Sequence, residues 1–560
     1  MEQKYELYKV QPFSSVKQLI SLAETESGEK IAFRYKKGDG VCDVTYSEFA
    51  DDIRFLGTGL LSLGVGKTHI ACIGENSFKW VTAYLTVLCS ANVFCPVDKE
   101  LPYSGIRTVI NSGDSEIVFY AGKFEQTFRD NRADFPNVKF FIGFDREEDD
   151  GEFLSYDRLL EKGRNLYSGG NHAYDASRSD PDELKMLVFT SGTTGLAKGV
   201  MLTEHNLVSG VYYGLQVSTV YDCCLSVLPY HHTYESVCGL LVSLHKRATI
   251  CINDSMSAVL RNLQLYKPSY IYLVPAFAEV FYKKIWENAE STGKAAALKA
   301  LIATSNGLRK VGVDKRSTFF RTIHETFGGR LVKIVCGGAP IRAEVGQFFE
   351  AIGIPLINGY GITECSPLVS ANREDFNDPS TVGVLLPCLE LKFDDVDADG
   401  VGEICVKGDV VMKGYYKNPE ATAAAIVDGW FHTGDFGKTD EYGRLIVTGR
   451  KKNIIVLSNG KNVYPEEIEE YIQSIPYVKE VVVYGLKNAS GGDRALAAEI
   501  FLDSDAVERM KIRDPEERIV KDVRKATSEL PSYKRIVQIN LRTEQFEKTT
   551  TNKIIRTSHS

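Results

Sequence analysis

Long uninterrupted apolar runs are missing from this 560-residue sequence. The most apolar stretch, residues 80–97, is interrupted by the polar residues Thr82, Thr86, Ser90 and Asn92. A membrane-spanning helix needs about 20 consecutive apolar residues, so a buried helix that runs into a strand explains this stretch better. The first residues, MEQKYELYKVQPFSS, also lack the apolar core of a signal peptide. We therefore expect a cytoplasmic protein.

Cysteine and histidine spacings typical of zinc sites are also missing, and so is a broad basic surface. None of the 12 cysteines stands in a CxxC or Cys/His zinc spacing, which favours reduced thiols in the cytosol. Lys and Arg number 66 against 74 Asp and Glu, so the net charge is −8. A mildly acidic chain without repeats or basic stripes is not expected to bind nucleic acid.

What is present is an ordinary globular composition, with 44% hydrophobic and 25% charged residues. Strand-like apolar runs alternate with helical patterns, and several runs end in glycine-rich loops, where open α/β sheets place ligands. Strands are predicted at 69–73, 116–120, 184–189, 331–336, 481–484 and 496–502, and helices at 47–63, 515–529 and from Pro465. The sequence becomes richer in charged residues beyond Arg450. We expect an α/β domain over residues 1–450 and a small α+β domain over 451–560.

One motif near the start imitates a P-loop. Gly64-Val65-Gly66-Lys67-Thr68 matches the end of GxxxxGK[ST], but the first glycine is replaced by Leu61. The following HIACIG favours a strand, whereas a P-loop opens a helix. A turn before a strand is expected here, which argues against a P-loop ATPase.

The first chemical signal is a loop after the strand at 184–189. Hydroxyl side chains and glycines alternate in Thr190-Ser191-Gly192-Thr193-Thr194-Gly195, and Lys198 follows. Glycines let backbone N–H groups turn toward an anion, hydroxyls donate to phosphate oxygens, and the lysine adds a cation. The pattern favours a polyphosphate such as that of ATP, although a flexible loop has the same composition.

This segment resembles the phosphate loop of the adenylate-forming (AMP-binding) superfamily, which includes acyl-CoA synthetases. The resemblance extends in order over residues 30–556. It implies that the ATP phosphates bind to Thr190, Ser191, Gly192, Thr193, Thr194, Gly195 and Lys198. Gly338-Ala339-Pro340 and Gly359-Tyr360-Gly361 then match the backbone and aromatic ring against adenine.

Further matches imply roles in catalysis. Thr363 corresponds to a hydroxyl for the α-phosphate and Glu364 to a carboxylate ligand for Mg²⁺, a cation that prefers carboxylate and phosphate oxygens. The loop LPYHHTYE matches one that borders the substrate carboxylate, and its Leu-Pro start favours His232 over His231.

Matches in the last third concern the ribose, the hinge and the thiol. Asp435 and Arg450 correspond to residues at the ribose hydroxyls, and Lys452 to the hinge, followed here by Asn453 where many relatives have Asp. Ser458-Asn459-Gly460-Lys461 resembles the segment that forms the coenzyme A tunnel. Lys553 falls on the catalytic lysine, although Asn552 replaces the usual glycine.

The resemblance is greatest to long-chain fatty acid–CoA ligases. It implies activation of a carboxylic acid with ATP and Mg²⁺, followed by transfer to coenzyme A. Alternatives are a ligase that loads a carrier protein, an aryl or medium-chain acid–CoA ligase, and a catalytically silent binder of nucleotide or lipid. A lipid substrate could also bring the protein to a membrane surface; the sequence leaves the oligomeric state open.

Overall fold

The computed structural model describes residues 5–178, 180–190, 198–457, 461–487, 493–528, 530–548 and 554–556. The chain divides into two compact units. Unit 1 comprises residues 1–390 and 406–431, and unit 2 comprises 391–405 and 432–560. Within the described part of the chain, no helix combines the length and apolarity needed to cross a bilayer.

The strands from β1 to β16 belong to unit 1. They are β1 Ile31–Lys37, β2 Gly40–Thr45, β3 His69–Ile73, β4 Val93–Val97, β5 Ser115–Tyr120, β6 Phe140–Gly143, β7 Phe153–Ser155, β8 Leu184–Thr190, β9 Lys198–Thr203, β10 Cys223–Ser226, β11 Thr249–Ile252, β12 Tyr270–Leu273, β13 Lys333–Cys336, β14 Leu356–Gly361, β15 Leu368–Ala371 and β16 Val384–Leu385. The later strands are β17 Leu389–Asp394, β18 Gly402–Gly408, β19 Gly414–Tyr415, β20 Ile426–Val427, β21 Trp430–Thr439, β22 Leu445–Arg450, β23 Ile455–Val456, β24 Asn462–Val463, β25 Val478–Lys487, β26 Asp493–Leu502 and β27 Ile536–Arg542.

The helices alternate with these strands. Those of unit 1 are α1 Val16–Ser27, α2 Tyr46–Leu61, α3 Phe78–Leu88, α4 Tyr103–Ser112, α5 Glu125–Asp130, α6 Tyr156–Ser168, α7 Ala173–Ala176, α8 Glu204–Val217, α9 Val242–His245, α10 Val259–Tyr266, α11 Pro275–Ser291, α12 Ala295–Lys310, α13 Arg316–Phe319, α14 Arg321–Thr326, α15 Ala343–Ile352 and α16 Pro419–Ala425. Those of unit 2 are α17 Pro465–Gln473, α18 Ser504–Arg509 and α19 Pro515–Ala526. A π-helix, Tyr234–Leu241, runs directly into α9.

Two large sheets organise unit 1. Over the described residues one has nine strands in the order β16-β15-β14-β13-β12-β10-β11-β1-β2, and the other has eight in the order β19-β9-β8-β4-β3-β5-β6-β7. Neighbours in the middle of each sheet are parallel, and those near the edges are antiparallel except at the β7 edge, where β6 and β7 are parallel. The carboxyl ends of β10, β12, β13 and β14 therefore lie at one edge, which is where parallel sheets bind ligands.

Separate apolar cores support these sheets and unit 2. One core packs under β10, β12, β13 and β14, and a second packs around β3, β4 and β5. Unit 2 has its own core around α17, α19, β25 and β26, and one of its sheets has the order β25-β26-β27. Pro465 is the first residue of α17 and is followed by Glu466 and Glu467, because a missing N–H and acidic side chains both suit the amino end of a helix.

The α/β class with a larger and a smaller unit is confirmed. The chain at Lys67 has a positive φ and leads into β3, so the P-loop-like segment is a turn before a strand, as predicted. Residues 391–405 and 432–450 belong to unit 2 by their contacts; a functional hinge near residue 450 stays a prediction.

Candidate active site

The predicted phosphate loop joins two paired strands. β8 and β9 run antiparallel, and Thr190 lies opposite Lys198. The pairing fixes both ends of the loop at one place on the sheet. Five of the predicted phosphate ligands lie outside the described residues: Ser191, Gly192, Thr193, Thr194 and Gly195.

A tyrosine that the sequence analysis missed connects Lys198 with Glu364. The ammonium of Lys198 lies 4.9 Å from the ring centroid of Tyr415, a cation–π distance. The hydroxyl of Tyr415 donates to Oε1 of Glu364 at 2.9 Å. Burial, and then the charge of Glu364, raise the pKa of Tyr415, so the phenol stays a hydrogen-bond donor. One side chain thus holds the lysine and the carboxylate that the sequence assigned to phosphate and Mg²⁺.

β19 positions this tyrosine. Tyr415 pairs with Val200 of β9, and the backbone N–H of Met412 donates to the carbonyl of Glu364 at 2.8 Å. Thr363 and Glu364 themselves lie on a short 3₁₀ helix after β14. No local pattern marks Tyr415, since its role comes from pairing with a strand more than 200 residues away.

An apolar cavity lies beside these residues. Its walls include Gly338, Gly359, Tyr360 and Gly361, four residues predicted at the nucleotide. Gly338 has φ +87°, a conformation that suits glycine. Ala339 and Pro340 follow β13 as an exposed turn.

Further cavity walls come from two helices, and sequence analysis assigned none of these residues to a cavity. Residues four positions apart share a helix face, and both helices present such a row: Gly210, Gly214 and Ser218 on α8 and its end, and Tyr234, Cys238 and Val242 on the π-helix and α9. The hydroxyl of Tyr234 donates to the carbonyl of Val335 at 3.2 Å, which ties the π-helix to β13. A small-residue wall facing an apolar one is suited to an alkyl or aryl group.

The histidine loop precedes the π-helix. His231 Nε2 lies 3.5 Å from Asp98 Oδ1, and burial lowers the pKa of His231 although Asp98 opposes this. The rings of His231 and His232 are 4.3 Å apart. Since His231 faces Asp98, the preference for His232 at the substrate carboxylate is kept as a prediction; neither ring is among the cavity-lining residues.

A fully buried carboxyl group, Glu235, lies in the π-helix. The hydroxyl of Ser226 donates to its Oε1 at 2.5 Å. Burial raises the pKa of Glu235 to about 8, against the lowering effect of that hydrogen bond. The side chain is therefore uncharged near neutral pH, and it packs against Gly239 one turn away.

Unit 2 contains the residues predicted for ribose and hinge. Asp435 on β21 lies opposite Arg450 on β22, and Arg450 Nε is 3.0 Å from Asp435 Oδ1. Asp435 is buried and Arg450 is largely exposed. Burial, and then the nearby cations Arg450 and Arg556, lower the pKa of Lys452.

The predicted catalytic lysine, Lys553, lies outside the described residues, but the chain on both sides is anchored. Lys548 Nζ is 2.6 Å from Glu480, and Arg556 forms an ion pair with the buried Glu469. Residues 548 and 554 pair with each other. Of the predicted thiol segment, Ser458, Asn459 and Gly460 also lie outside the described residues, whereas Lys461 is exposed beside β24.

One further group of side chains in unit 2 has metal-ligand chemistry. Donor atoms of Asp394, Cys405 and His432 lie within 4.8 Å of one another. Lys392 already donates to Asp394 at 2.9 Å, so this carboxylate is neutralised within the protein, and we assign no metal to the group.

Comparisons with known proteins agree with this geometry. The AMP-binding enzyme family matches residues 22–416, and the AMP-binding enzyme C-terminal domain matches residues 452–559. The long-chain-fatty-acid–CoA ligase FadD15 of Mycobacterium bovis is 30% identical over 85% of this chain and 80% of its own. The mouse long-chain-fatty-acid–CoA ligase 6 is 30% identical over 79% and 67%.

A solved structure shares the fold. The anthranilate CoA ligase AuaEII, in complex with anthranoyl-AMP, matches with a TM-score of 0.75 at 18% identity over 97% of this chain and 96% of that one. With the family matching most of the sequence, this chain belongs to the AMP-binding enzyme family.

Proposed function

We propose that the protein is an AMP-forming acid–thiol ligase that converts a fatty acid to its coenzyme A thioester. One observation carries this proposal most directly: β14 lines an apolar cavity and leads, within three residues, to Thr363 and Glu364. An apolar substrate chain and a nucleotide phosphate would thus meet at the end of one strand. The relatives named for long-chain fatty acids support the same class of acid.

In the first half-reaction, a carboxylate oxygen attacks the α-phosphorus of ATP. The bond from this phosphorus to the bridging oxygen breaks, and pyrophosphate leaves with the electron pair. No general base is required, because a carboxylic acid is already ionised at neutral pH. Bringing two anions together makes positioning and charge neutralisation the main tasks of the protein.

Residues of unit 1 fit these tasks. Lys198 and the loop 190–195 would bind the β- and γ-phosphates, and Thr363 would donate to the α-phosphate. Glu364 has the hard oxygen donors that Mg²⁺ prefers, and the hydroxyl of Tyr415 fixes one of them; Mg²⁺ bound there would neutralise phosphate charge. Tyr360 and the Gly338 turn would contact the adenine.

Residues of unit 2 complete the proposal. Asp435, with Arg450 beside it, would accept the ribose hydroxyls, and Lys553 would stabilise the charge that grows on the α-phosphate. In the second half-reaction, the thiol sulfur of coenzyme A attacks the acyl carbon, the carbon–oxygen bond to AMP breaks, and the thiol proton goes to solvent. Lys452 would be the hinge and residues 458–461 the thiol tunnel.

Separating the two half-reactions tests these assignments. Lys553→Ala is expected to lower acyl-adenylate formation by about 10²–10³-fold, the usual loss for one preorganised donor. The same variant should still convert synthetic acyl-adenylate and coenzyme A to acyl-CoA. Lys525→Ala, an exposed lysine at the end of α19, is the control and should leave both rates unchanged.

Equal losses in both half-reactions would contradict the role of Lys553. Release of free acyl-CoA also separates this function from that of a ligase that loads a carrier protein. Absence of acid-dependent exchange between pyrophosphate and ATP in the unmodified protein would contradict the enzyme proposal itself.

A further inference from the structure

A buried ion pair lies just beyond one end of the apolar cavity. The side chain of Lys333, at the start of β13, has no exposed surface. Its ammonium donates to Ser218 Oγ at 2.7 Å, to the carbonyl of Thr219 at 2.7 Å, and to the carboxylate of Glu374. An ammonium has three N–H donors, so these partners satisfy all of them.

Ser218 places this ion pair at the floor of the cavity. It is the cavity-lining residue at the carboxyl end of α8, and it accepts directly from Lys333. On β13 the cavity is lined by Val335 and Cys336, and Val335 is the residue whose side chain shares a face with that of Lys333. Lys333 is two residues earlier and therefore lies on the same face of the sheet.

The floor should resist displacement, because moving it would separate the fully buried ammonium of Lys333 from the partly buried carboxylate of Glu374. Glu374 also accepts from the hydroxyl of Tyr8 at 3.0 Å, so both partners of the ion pair have further bonds. Pushing Lys333 aside would leave an uncompensated charge in the interior, which is strongly unfavourable. A terminal methyl group offers no polar contact in exchange. Since all donors of Lys333 are used, the floor is also unsuited to recognising a second carboxylate.

Two walls give the depth of the cavity independently. From Lys333 to the cavity-lining Gly337, which directly follows β13, is four residues of extended chain, or about 13 Å at about 3.3 Å per residue. From Gly210 to Ser218 is eight residues of helix, or about 12 Å at about 1.5 Å per residue. An extended alkyl chain advances roughly 1.25 Å per carbon for a C–C bond of about 1.5 Å. The depth therefore corresponds to about ten carbons.

We propose that Lys333, Glu374 and Ser218 form the closed end of the acyl cavity and limit its preferred substrates to medium-chain fatty acids of about ten carbons. This inference rests on the proposed function and specifies its substrate. The names of the mycobacterial and mouse relatives refer to long-chain fatty acids. The chain length proposed here is shorter, because it follows from the side chains of this protein.

The test is the rate of acyl-CoA formation with saturated acids of four to eighteen carbons. For the unmodified protein, kcat/KM should rise up to about ten carbons and be at least tenfold lower at sixteen. Gly214→Leu should move the optimum to shorter acids, since an added Cβ at Gly214 meets only Leu368 Cδ2 at 3.5 Å and the remaining side chain can enter the cavity. Gly307→Leu on α12 is the matched control, because its Cβ would meet nothing within 4 Å; its length profile should not change.

Removing both charges together should open the floor. In Lys333→Met/Glu374→Gln the optimum should move to longer acids without an unpaired charge being left behind. If this variant fails to fold, the profiles of the unmodified protein and of Gly214→Leu still decide. Equal use of ten- and sixteen-carbon acids by the unmodified protein, or an unshifted optimum in Gly214→Leu, would overturn the limit alone. Absence of acyl-CoA with every acid would overturn the proposed function as well.

Discussion

Replacing Glu235 by Gln would isolate the contribution of the buried carboxyl group in the π-helix. Its pKa is about 8 in the fold, against 4.5 for an ordinary glutamate. Between these values the unfolded chain releases the proton and the folded chain keeps it. The free energy of unfolding of the natural protein should therefore fall as pH rises through this window.

The size of the effect follows from the two pKa values. Each pKa unit corresponds to about 1.4 kcal/mol, so the full difference is on the order of 5 kcal/mol. Between about pH 5.5 and pH 7.5 the change should be roughly 2–3 kcal/mol. Glu235→Gln keeps an oxygen that can accept from Ser226 but cannot ionise, so it lacks this pH dependence. Any constant cost of the amide shifts its curve without changing the slope.

Urea unfolding followed by tryptophan fluorescence is a suitable assay. Trp80, Trp286 and Trp430 are the 3 tryptophans of the chain, and all belong to unit 1, the unit that contains Glu235. The stability of Glu235→Gln relative to the natural protein should increase steadily over the pH window. The exposed Glu290→Gln on α11 serves as the control. A difference between natural protein and Glu235→Gln that stays constant with pH would show that the carboxyl group ionises in the fold, and would refute the reasoning.

Two further predictions concern the nucleotide site. Tyr415→Phe removes the hydroxyl that donates to Glu364 but keeps the ring beside Lys198, so the Mg²⁺ concentration for half-maximal pyrophosphate release should rise by about tenfold, as expected for one hydrogen bond to a charged group; an unchanged Mg²⁺ requirement would exclude this positioning role. Asp435→Asn should raise KM for ATP by about tenfold or more and should abolish the preference for ATP over 3′-deoxy-ATP, whereas a preference that persists in the variant would place the ribose hydroxyls elsewhere.

Much of the local structure could be predicted from the sequence. The run at 184–189 is β8, the stretch 80–97 is α3 running into β4, and α17 begins at Pro465. These elements are signalled by apolar runs and by residues that suit helix ends, which act over short distances. The helix predicted at 515–529 ends at Ala526, a difference typical of helix ends.

Contacts between distant segments could not be predicted in this way. The strand predicted from Leu331 begins instead at Lys333, because pairing with Tyr270 of β12 begins there. The lysine inside this buried strand is explained by partners far along the chain, such as its counter-charge Glu374, which lies 41 residues further on. The same holds for Tyr415, whose partner Glu364 is separated from it by 51 residues.

The ion pair between Asp435 and Arg450 would let an occupied ribose pocket influence the backbone around Lys452. Ribose hydroxyl groups that donate to the carboxylate of Asp435 would weaken the attraction between this carboxylate and the guanidinium of Arg450. That guanidinium already disfavours the charged form of Lys452. If Asp435 binds the ribose and Lys452 is the hinge, as proposed, nucleotide binding would strengthen the electrostatic repulsion between Arg450 and Lys452.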